Sequence, residues 1–182
     1  MSGADRIELW SPGWPSSVSG KYKPTKPLSD EVDIEVIEVG KHLGRPQLPM
    51  RLSCEDVRYA GDAYFYGFPF GLGAGDASGD VRICFVKKAT VGGSYCVEEK
   101  WICWLLDGIN NPGFSGGPVI HYHHASGVLS VMAIVSGFVH EDVKIHDRGT
   151  PIPELTVPMN TGIMRAWDTS YALALIRQVT GE

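Results

Sequence analysis

Short apolar runs dominate the pattern of hydrophobic and polar positions along the chain. The runs are rich in Val, Ile, Tyr and Phe, alternate in part with polar residues, and are separated by breaks at many of the 22 Gly and 12 Pro residues. Partial alternation of this kind is typical of β-strands. The pattern predicts strands near residues 6–10, 34–39, 64–67, 82–88, 100–107, 117–123, 128–138 and 162–166. We therefore expect a mostly β protein.

The remaining segments predict one helix and two long loops. Asp168 can cap a helix in which Tyr171, Leu175 and Val179 recur every four residues. Residues 11–27 and 142–158 are rich in Pro, Gly and Ser, which is typical of surface loops. The helix is expected to close the domain at its C-terminal end.

Composition narrows the class of protein. The chain has 182 residues, of which 43% are hydrophobic and 20% charged, enough for one globular unit with a buried core. Its 16 basic and 21 acidic residues give a net charge of −5, and no run of Lys and Arg interleaves with aromatic residues, so we expect no nucleic-acid partner. No apolar run approaches the roughly 18 residues that span a bilayer, and no export signal is visible. We expect a cytoplasmic protein without a membrane partner.

Four cysteines, Cys54, Cys84, Cys96 and Cys103, lie in strand-like apolar contexts and not in the paired spacing of a zinc site. Buried free thiols in a reducing compartment are the simplest interpretation. A single bridged pair in an exported relative stays open. No cofactor is expected.

The chemistry begins at Ser115, which lies between glycines on both sides and is followed by an apolar strand. A nucleophilic serine must project from a tight turn while the backbone N–H groups of Gly113 and Ser115 converge on one point, and small residues permit that path. Such a pair of donors is an oxyanion hole. The alternative is an ordinary β-turn before a strand, since Gly-Gly-Pro is common in turns. The turn reads Asn111-Pro112-Gly113-Phe114-Ser115-Gly116-Gly117-Pro118.

This turn resembles the active-site serine motif of the trypsin-like serine peptidases, especially their bacterial and HtrA-like branches. Residues 59–72 resemble the strand of that family that ends in a Gly-Phe/Tyr-Pro-X-Gly turn, and Val32-Asp33-Ile34-Glu35-Val36-Ile37 is similar to the strand that supplies the catalytic aspartate. Residues 131–138 resemble the strand beside the substrate, and residues 160–163 the last strand before the terminal helix. The order of these segments agrees over roughly residues 30–179.

The resemblance implies a double β-barrel, with a partial N-terminal barrel over residues 1–57 and a complete C-terminal barrel with its terminal helix over residues 58–182. The first part is short, because only some 30 residues precede Asp33. Either the chain is a shortened form of a longer peptidase, or it is a non-catalytic relative that keeps the serine turn for its shape.

The resemblance also implies the roles of individual residues. Ser115 is the nucleophile, Asp33 orients the base, and the backbone N–H groups of Gly113 and Ser115 form the oxyanion hole. The expected partner is a protein or peptide substrate. Its expected contacts are Ile109, at the base of the primary specificity pocket, and Val135, Ser136 and Gly137, along the edge of a strand. For Asp33 the alternative is a surface carboxylate, and for Ile109 it is core packing.

The general base is the departure from the family pattern. A serine hydroxyl needs a neighbouring imidazole to take its proton, and in this family that histidine precedes the aspartate. No histidine precedes Asp33 in this chain, and His42, the nearest, follows it. We therefore expect a serine endopeptidase domain that is inactive as the chain stands, or a pseudo-peptidase that binds extended peptides. Between Asp33 and Ser115 we expect an imidazole-sized gap at the mouth of a cleft.

Three other histidines raise the question of a metal site. His121 and His123 alternate on the strand after the serine turn, and His124 adjoins them. Imidazoles two residues apart on a strand share a face, as metal ligands would. No carboxylate or cysteine clusters near them in the sequence, so we expect a partly exposed strand end and no metal.

Overall fold

The structure is a computed structural model, and it describes residues 6–7, 18–19, 26–36, 50–71, 74–75, 82–124 and 126–181. Within these residues the chain is mostly β-sheet and ends in one α-helix, as the sequence predicts. In the described part, no helix is long and apolar enough to cross a membrane.

Within the described residues, eleven strands and one α-helix follow one another. A short 3-10 turn, Pro69–Gly71, follows β4. The elements are β1 (Arg6–Ile7), β2 (Val18–Ser19), β3 (Arg51–Leu52), β4 (Asp62–Gly67), β5 (Ala74–Gly75), β6 (Arg82–Ile83), β7 (Phe85–Val97), β8 (Trp101–Asp107), β9 (Pro118–His123), β10 (Val128–Asp147), β11 (Thr150–Asp168) and α1 (Thr169–Thr180).

Six of the strands pair in a closed ring. The order is β11, β8, β7, β4, β9 and β10, and β10 pairs back with β11. All of these pairings are antiparallel. Closure of the ring leaves no unpaired edge over the paired stretch, which is how an antiparallel sheet covers its own hydrogen-bonding groups.

Alternate residues of the ring strands fill its interior. Ala63 and Phe65 on β4, and Trp104 and Leu106 on β8, are buried in one cluster to which all six strands contribute. Successive side chains of a strand point to opposite faces, so a spacing of two residues places these side chains on the same inner face. The periodicity in the sequence thus produces the core directly.

The segment predicted as a loop over residues 142–158 is instead a hairpin, and that prediction is wrong. Strands β10 and β11 pair from His140 and Asn160 out to Asp147 and Thr150, with register shifts on the way. Arg148 and Gly149 make the turn with φ of 47° and 87°, the geometry of a tight two-residue hairpin. The Pro-rich composition misled the prediction: in the described residues β11 has no second partner over this stretch, and such an edge tolerates proline.

The N-terminal part of the chain is described only in pieces. Strands β1 and β2 pair with each other, and β3 adds to the edge of β10 in the parallel direction. Residues 34–36, predicted as the start of a strand, are not in a strand, and residues 37–39 lie outside the described residues. The side chains of Ile34 and Val36 pack against the cluster beneath α1, and this packing positions the segment.

Helix α1 packs on the outer face of the ring and fixes the 26–36 segment. Tyr171 and Leu175 are buried in a second cluster with Val32 and Trp101. The hydroxyl oxygen of Tyr171 accepts hydrogen bonds from the backbone N–H groups of residues 28 and 29, at 3.0 and 3.2 Å. These contacts hold the segment that contains Asp33 against the helix.

Asp168 begins the helix, as the sequence predicts. Its carboxylate accepts a hydrogen bond from the N–H of Ser170 at 2.7 Å and another from the indole N–H of Trp104 at 3.1 Å. Because both acceptors belong to one buried side chain, a single substitution removes the helix cap and leaves a buried indole donor unpaired.

We expect Asp168→Ala to lower the free energy of unfolding by about 2 to 4 kcal/mol, from the lost cap and the unpaired indole. Urea denaturation followed by tryptophan fluorescence measures it. The matched control is Asp147→Ala, which removes an exposed aspartate at the tip of the hairpin and should change stability by less than about 0.5 kcal/mol. Equal effects of the two substitutions would contradict the role of Asp168.

All four cysteines are free, but they differ in exposure. Cys103 is buried, Cys54 and Cys84 are half-buried and Cys96 is exposed, so the prediction of buried thiols fails for Cys96. Burial, with a hydrogen bond to Asp168, raises the pKa of the Cys54 thiol to about 12. Cys54 is therefore an unreactive thiol at neutral pH.

Candidate functional site

The serine turn is shaped by its glycines. Gly113 and Gly116 have φ of 102° and 81°, in the left-handed region that glycine adopts without strain. The N–H of Phe114 donates to the carbonyl of Asn111 at 3.3 Å, and the N–H of Gly117 donates to the carbonyl of Phe114 at 2.9 Å. Two consecutive tight turns therefore carry the chain past Ser115 and into β9.

The side chain of Phe114 anchors this turn from below. It is fully buried in the interior of the ring, and its ring meets that of Phe65 edge-on with centroids 4.9 Å apart. A Cβ atom at Gly67 would lie 2.5 Å from the Phe114 ring, so the end of β4 must approach the turn without a side chain. An apolar residue at the middle of the turn thus fixes it by packing.

Backbone hydrogen bonds dock the turn against β10. The N–H of Gly116 donates to the carbonyl of Val135 at 2.7 Å, and the N–H of Val135 donates to the carbonyl of Gly117 at 2.9 Å. The hydroxyl of Ser115 donates to the carbonyl of Ser136 at 3.0 Å. The strand segment that the sequence assigns to substrate contact therefore lies directly beside Ser115.

Asp33 reaches the same place from the N-terminal segment. Its carboxylate accepts hydrogen bonds from the hydroxyl of Ser136, at 2.8 and 3.0 Å to its two oxygens, and from the indole N–H of Trp167 at 2.7 Å. Ser136 thus contacts both predicted residues, because its hydroxyl donates to Asp33 while its carbonyl accepts from Ser115. Asp33 is exposed, so it is a surface carboxylate that these bonds hold beside Ser136 and Trp167.

Ser115 and Asp33 line one cavity of about 200 Å³, whose walls include Ile34, Ile134 and Ser136. The structure shows no direct hydrogen bond between the Ser115 hydroxyl and the Asp33 carboxylate, since each is bonded to Ser136. The arrangement is a serine hydroxyl and a carboxylate on one cavity, each bonded to Ser136. The expected imidazole-sized gap between them stays a prediction.

Two backbone donors stand at the turn without acceptors. In the described part of the chain, the N–H groups of Gly113 and Ser115 make no hydrogen bond, whereas those of Phe114, Gly116 and Gly117 all do. Unpaired donors on both sides of a bonded one are what an oxyanion hole offers to a substrate carbonyl. Both residues are exposed, so an incoming carbonyl oxygen can reach them.

A second, more apolar cavity of about 560 Å³ also adjoins the turn. Ser115 and Gly113 contribute to its wall, and Met50, Phe68 and Leu129 are among the apolar residues that line the rest. Ser115 and Gly116 therefore lie on both cavities.

Ile109 is placed away from both of these cavities. Its side chain is 59% exposed, and its carbonyl accepts a hydrogen bond from the ammonium of Lys87 at 2.6 Å. The same ammonium donates to Asn111 Oδ1 at 3.1 Å and lies 5.5 Å from the centre of the Phe114 ring. Lys87 thus holds residues 109–111, which lead into the serine turn. Ile109 lines neither cavity that contains Ser115, and its specificity role stays a prediction.

The histidines lie elsewhere. His121 and His123 are buried, so the prediction of a partly exposed strand end is wrong for them: β9 lies between β4 and β10, and both rings face inward. His121 Nε2 bonds the carbonyl of Ser53 at 3.2 Å, and burial lowers its pKa. His124 is exposed.

No histidine within the described residues lines either cavity that contains Ser115, and His42 lies outside those residues. Over the same part of the chain, no group of three or more His, Cys, Asp and Glu side chains could hold a metal ion. The described site therefore offers a serine hydroxyl, a carboxylate and two backbone donors, with no histidine of the described residues on either cavity.

Two residues that contact the site could not be identified from the sequence. Neither Trp167 nor Lys87 lies in a sequence motif that points to the site. Trp167 directly precedes the helix cap Asp168, but nothing in its neighbours announces a hydrogen bond to a residue 134 positions away. Lys87 is one of two adjacent lysines on β7, and only the fold shows that Lys87 faces the serine turn while Lys88 pairs with Asp62.

No family model matches the chain, and no curated protein or solved structure shows significant similarity to it.

Proposed function

We propose that the chain is a trypsin-like serine peptidase domain that binds an extended peptide along residues 135–137 and presents Ser115 as the nucleophile. The observation that carries the proposal is the shared position of Ser115 and Asp33 on one cavity, joined through Ser136. In this proposal the closed ring of six strands is taken as the second barrel of that fold.

The groups present support specific steps of acyl transfer. A peptide carbonyl carbon is attacked by Ser115 Oγ, its oxygen takes negative charge, and the N–H groups of Gly113 and Ser115 stabilise that charge. The C–N bond then breaks, and the amine leaves with a proton. Asp33 would orient an imidazole that takes the serine proton and delivers it to the amine.

Among the described residues no histidine lies beside Ser115, so we expect a slow or absent chemical step. The Ser115 hydroxyl donates a hydrogen bond to the backbone carbonyl of Ser136. A backbone carbonyl cannot act as the general base. This contact favours a second candidate function, a pseudo-peptidase that holds extended peptides in the same cleft without cutting them. Both functions require the same binding surface, and they differ only in whether a base reaches Ser115.

The first experiment is therefore a binding measurement. A library of acetyl- and amide-capped octapeptides is added to ¹⁵N-labelled protein, and backbone amide signals are followed. We expect the signals of Gly113, Ser115 and Val135 to shift together, because a peptide strand would pair beside them. Thr150, at the distant tip of the hairpin, serves as the internal control and should not move.

Shifts confined to the face that carries His124, or no shift with any pool of the library, would contradict the proposal. Ser136→Pro is the matched variant: it removes a backbone N–H donor and changes the strand edge, so peptide binding should be lost. Ser130→Pro, farther along β10, tests whether any proline in this strand has the same effect through misfolding.

A further inference from the structure

We infer that the hairpin arm, residues 141–159 of β10 and β11, is a docking surface for the same arm of a second copy of this chain. The inference goes beyond the proposed function and does not depend on it. The arm extends past the closed ring, because β9 pairs with β10 only up to Ile134 and β8 pairs with β11 only from Ile163. A two-stranded hairpin alone is marginally stable in water, so a partner that covers the arm would stabilise it.

One face of the arm is apolar. Val143 pairs with Val157, and Ile145 and Leu155 lie two residues from this pair on the two strands, so the four side chains share a face. Met159 continues this face toward the ring. Leu155, Val157 and Met159 are 46, 48 and 50% exposed. Within the described part of the chain, neither buried cluster includes any of these five side chains.

The edge of the arm is unsuited to docking. Over residues 150–160, the described strands give β11 no neighbour except β10. This stretch carries Pro151, Pro153 and Pro158, and proline has no N–H to donate to an added strand. Glu154, with φ of 61°, also interrupts the extended backbone. A partner therefore packs on the apolar face and not along the edge.

The charges at the two ends of the arm favour a second copy as this partner. Glu141 pairs with Met159 at the base of the apolar face, and Arg148 lies in the turn at the tip. Both side chains are exposed. When two arms pack face to face about a two-fold axis and run in opposite directions, the base of each meets the tip of the other. Each Glu141 then lies near Arg148 of the other copy, and this ion pair forms twice.

The composition of the arm argues against a lipid surface. The segments that bind membranes through an apolar face are rich in Lys and Arg, which anionic headgroups attract. The arm has more acidic than basic residues, with Glu141, Asp142, Asp147 and Glu154 against Lys144 and Arg148. Its face is smaller than the roughly 800 Å² per partner of a standard interface, so the expected dimer is weak and reversible.

The test is sedimentation equilibrium of the full chain over about 5 to 500 µM. We expect the average mass to rise from one chain to two, with a dissociation constant on the order of 10 to 100 µM. Val157→Asp should raise this constant at least about tenfold, because it places a charge in the apolar contact. Val86→Asp is the matched control: Val86 is 50% exposed on β7, outside the arm, and its substitution should change the constant by less than about twofold.

An exchange of charges tests the two-fold arrangement. Glu141→Arg and Arg148→Glu alone each bring like charges together and should weaken association about three- to tenfold. The protein that carries both substitutions regains the opposite charges, so its dissociation constant should return to within about twofold of the unaltered chain. Recovery in the double variant cannot be explained by misfolding, because both substitutions are present in it.

A chain that stays monomeric over the whole concentration range would overturn the inference. A dimer that Val157→Asp leaves intact, or a double exchange that does not recover, would overturn it as well. Flotation of the chain with vesicles of phosphatidylcholine and phosphatidylserine, abolished by Val157→Asp, would assign the apolar face to lipid instead. The peptide titrations at the serine turn are independent of all these results, so the proposed function stands or falls separately.

Discussion

Hydrolysis by the unaltered chain is expected to be slow and nearly insensitive to Ser115→Ala. When a member of a catalytic triad is missing, the oxyanion hole and substrate binding still accelerate hydrolysis by about 10³ to 10⁴ over water. Removal of a second member then costs little, because the members act as a unit. Turnover of a p-nitrophenyl ester and of a peptide p-nitroanilide measures both rates.

Two substitutions distinguish the contribution of the oxyanion hole to the residual rate from that of the Ser115 hydroxyl. Ser115→Ala keeps the backbone N–H donors, whereas Gly113→Ala places a Cβ 2.2 Å from the carbonyl oxygen of Phe68 and must distort the turn. We expect the residual rate to survive the first substitution and to fall with the second. Fast turnover that Ser115→Ala abolishes would show that a histidine of this chain, His42 included, serves as a base.

Phe114→Ala is expected to lower the free energy of unfolding by about 3 to 5 kcal/mol, the usual cost of removing a buried phenylalanine. Phe114 is fully buried and packs on Phe65 beneath the serine turn. Its loss opens a cavity in the interior of the ring and frees the turn that carries Ser115. Chemical denaturation followed by circular dichroism measures the change.

Phe70→Ala is the control for Phe114, because it removes the same side chain from a position that is 68% exposed. We expect this substitution to change stability by less than about 1 kcal/mol. If the two substitutions cost the same, the turn is not anchored through the core, and the packing account of the site fails.

The parts of the fold that the sequence predicts are those in which local pattern and burial agree. The residues of β8 and β9 lie on strands at nearly the predicted bounds, and Asp168 caps the helix as expected. The alternation that buries Phe65 and Leu106 is visible in the sequence because each strand has one inner face. Strand pairing across the ring, by contrast, depends on residues far apart in the chain.

The errors arise where tertiary contacts override composition. The hairpin over residues 142–158 is rich in proline, yet pairing with β10 keeps it extended. His121 and His123 were expected at an exposed strand end because the pattern does not reveal that β9 lies in the middle of the sheet.

The residues of the candidate site also fall into two groups, those suggested by the sequence and those that only the fold brings together. Ser115, Gly113, Asp33 and the 135–137 segment were predicted as site residues from their resemblance to the motifs of the family. The bridging hydroxyl of Ser136, the indole of Trp167 and the ammonium of Lys87 were not, because each acts over a contact that closes only in the folded chain.

The central claim is that Ser115 and Asp33 belong to a triad whose imidazole is absent from the described cleft. The direct measurement is the rate of ester hydrolysis as imidazole is added to the unaltered chain, to Ser115→Ala and to Asp33→Ala. The account predicts a saturable rise for the unaltered chain, a weaker rise for Asp33→Ala, and no rise above free imidazole for Ser115→Ala. Identical imidazole dependence for all three proteins would contradict it.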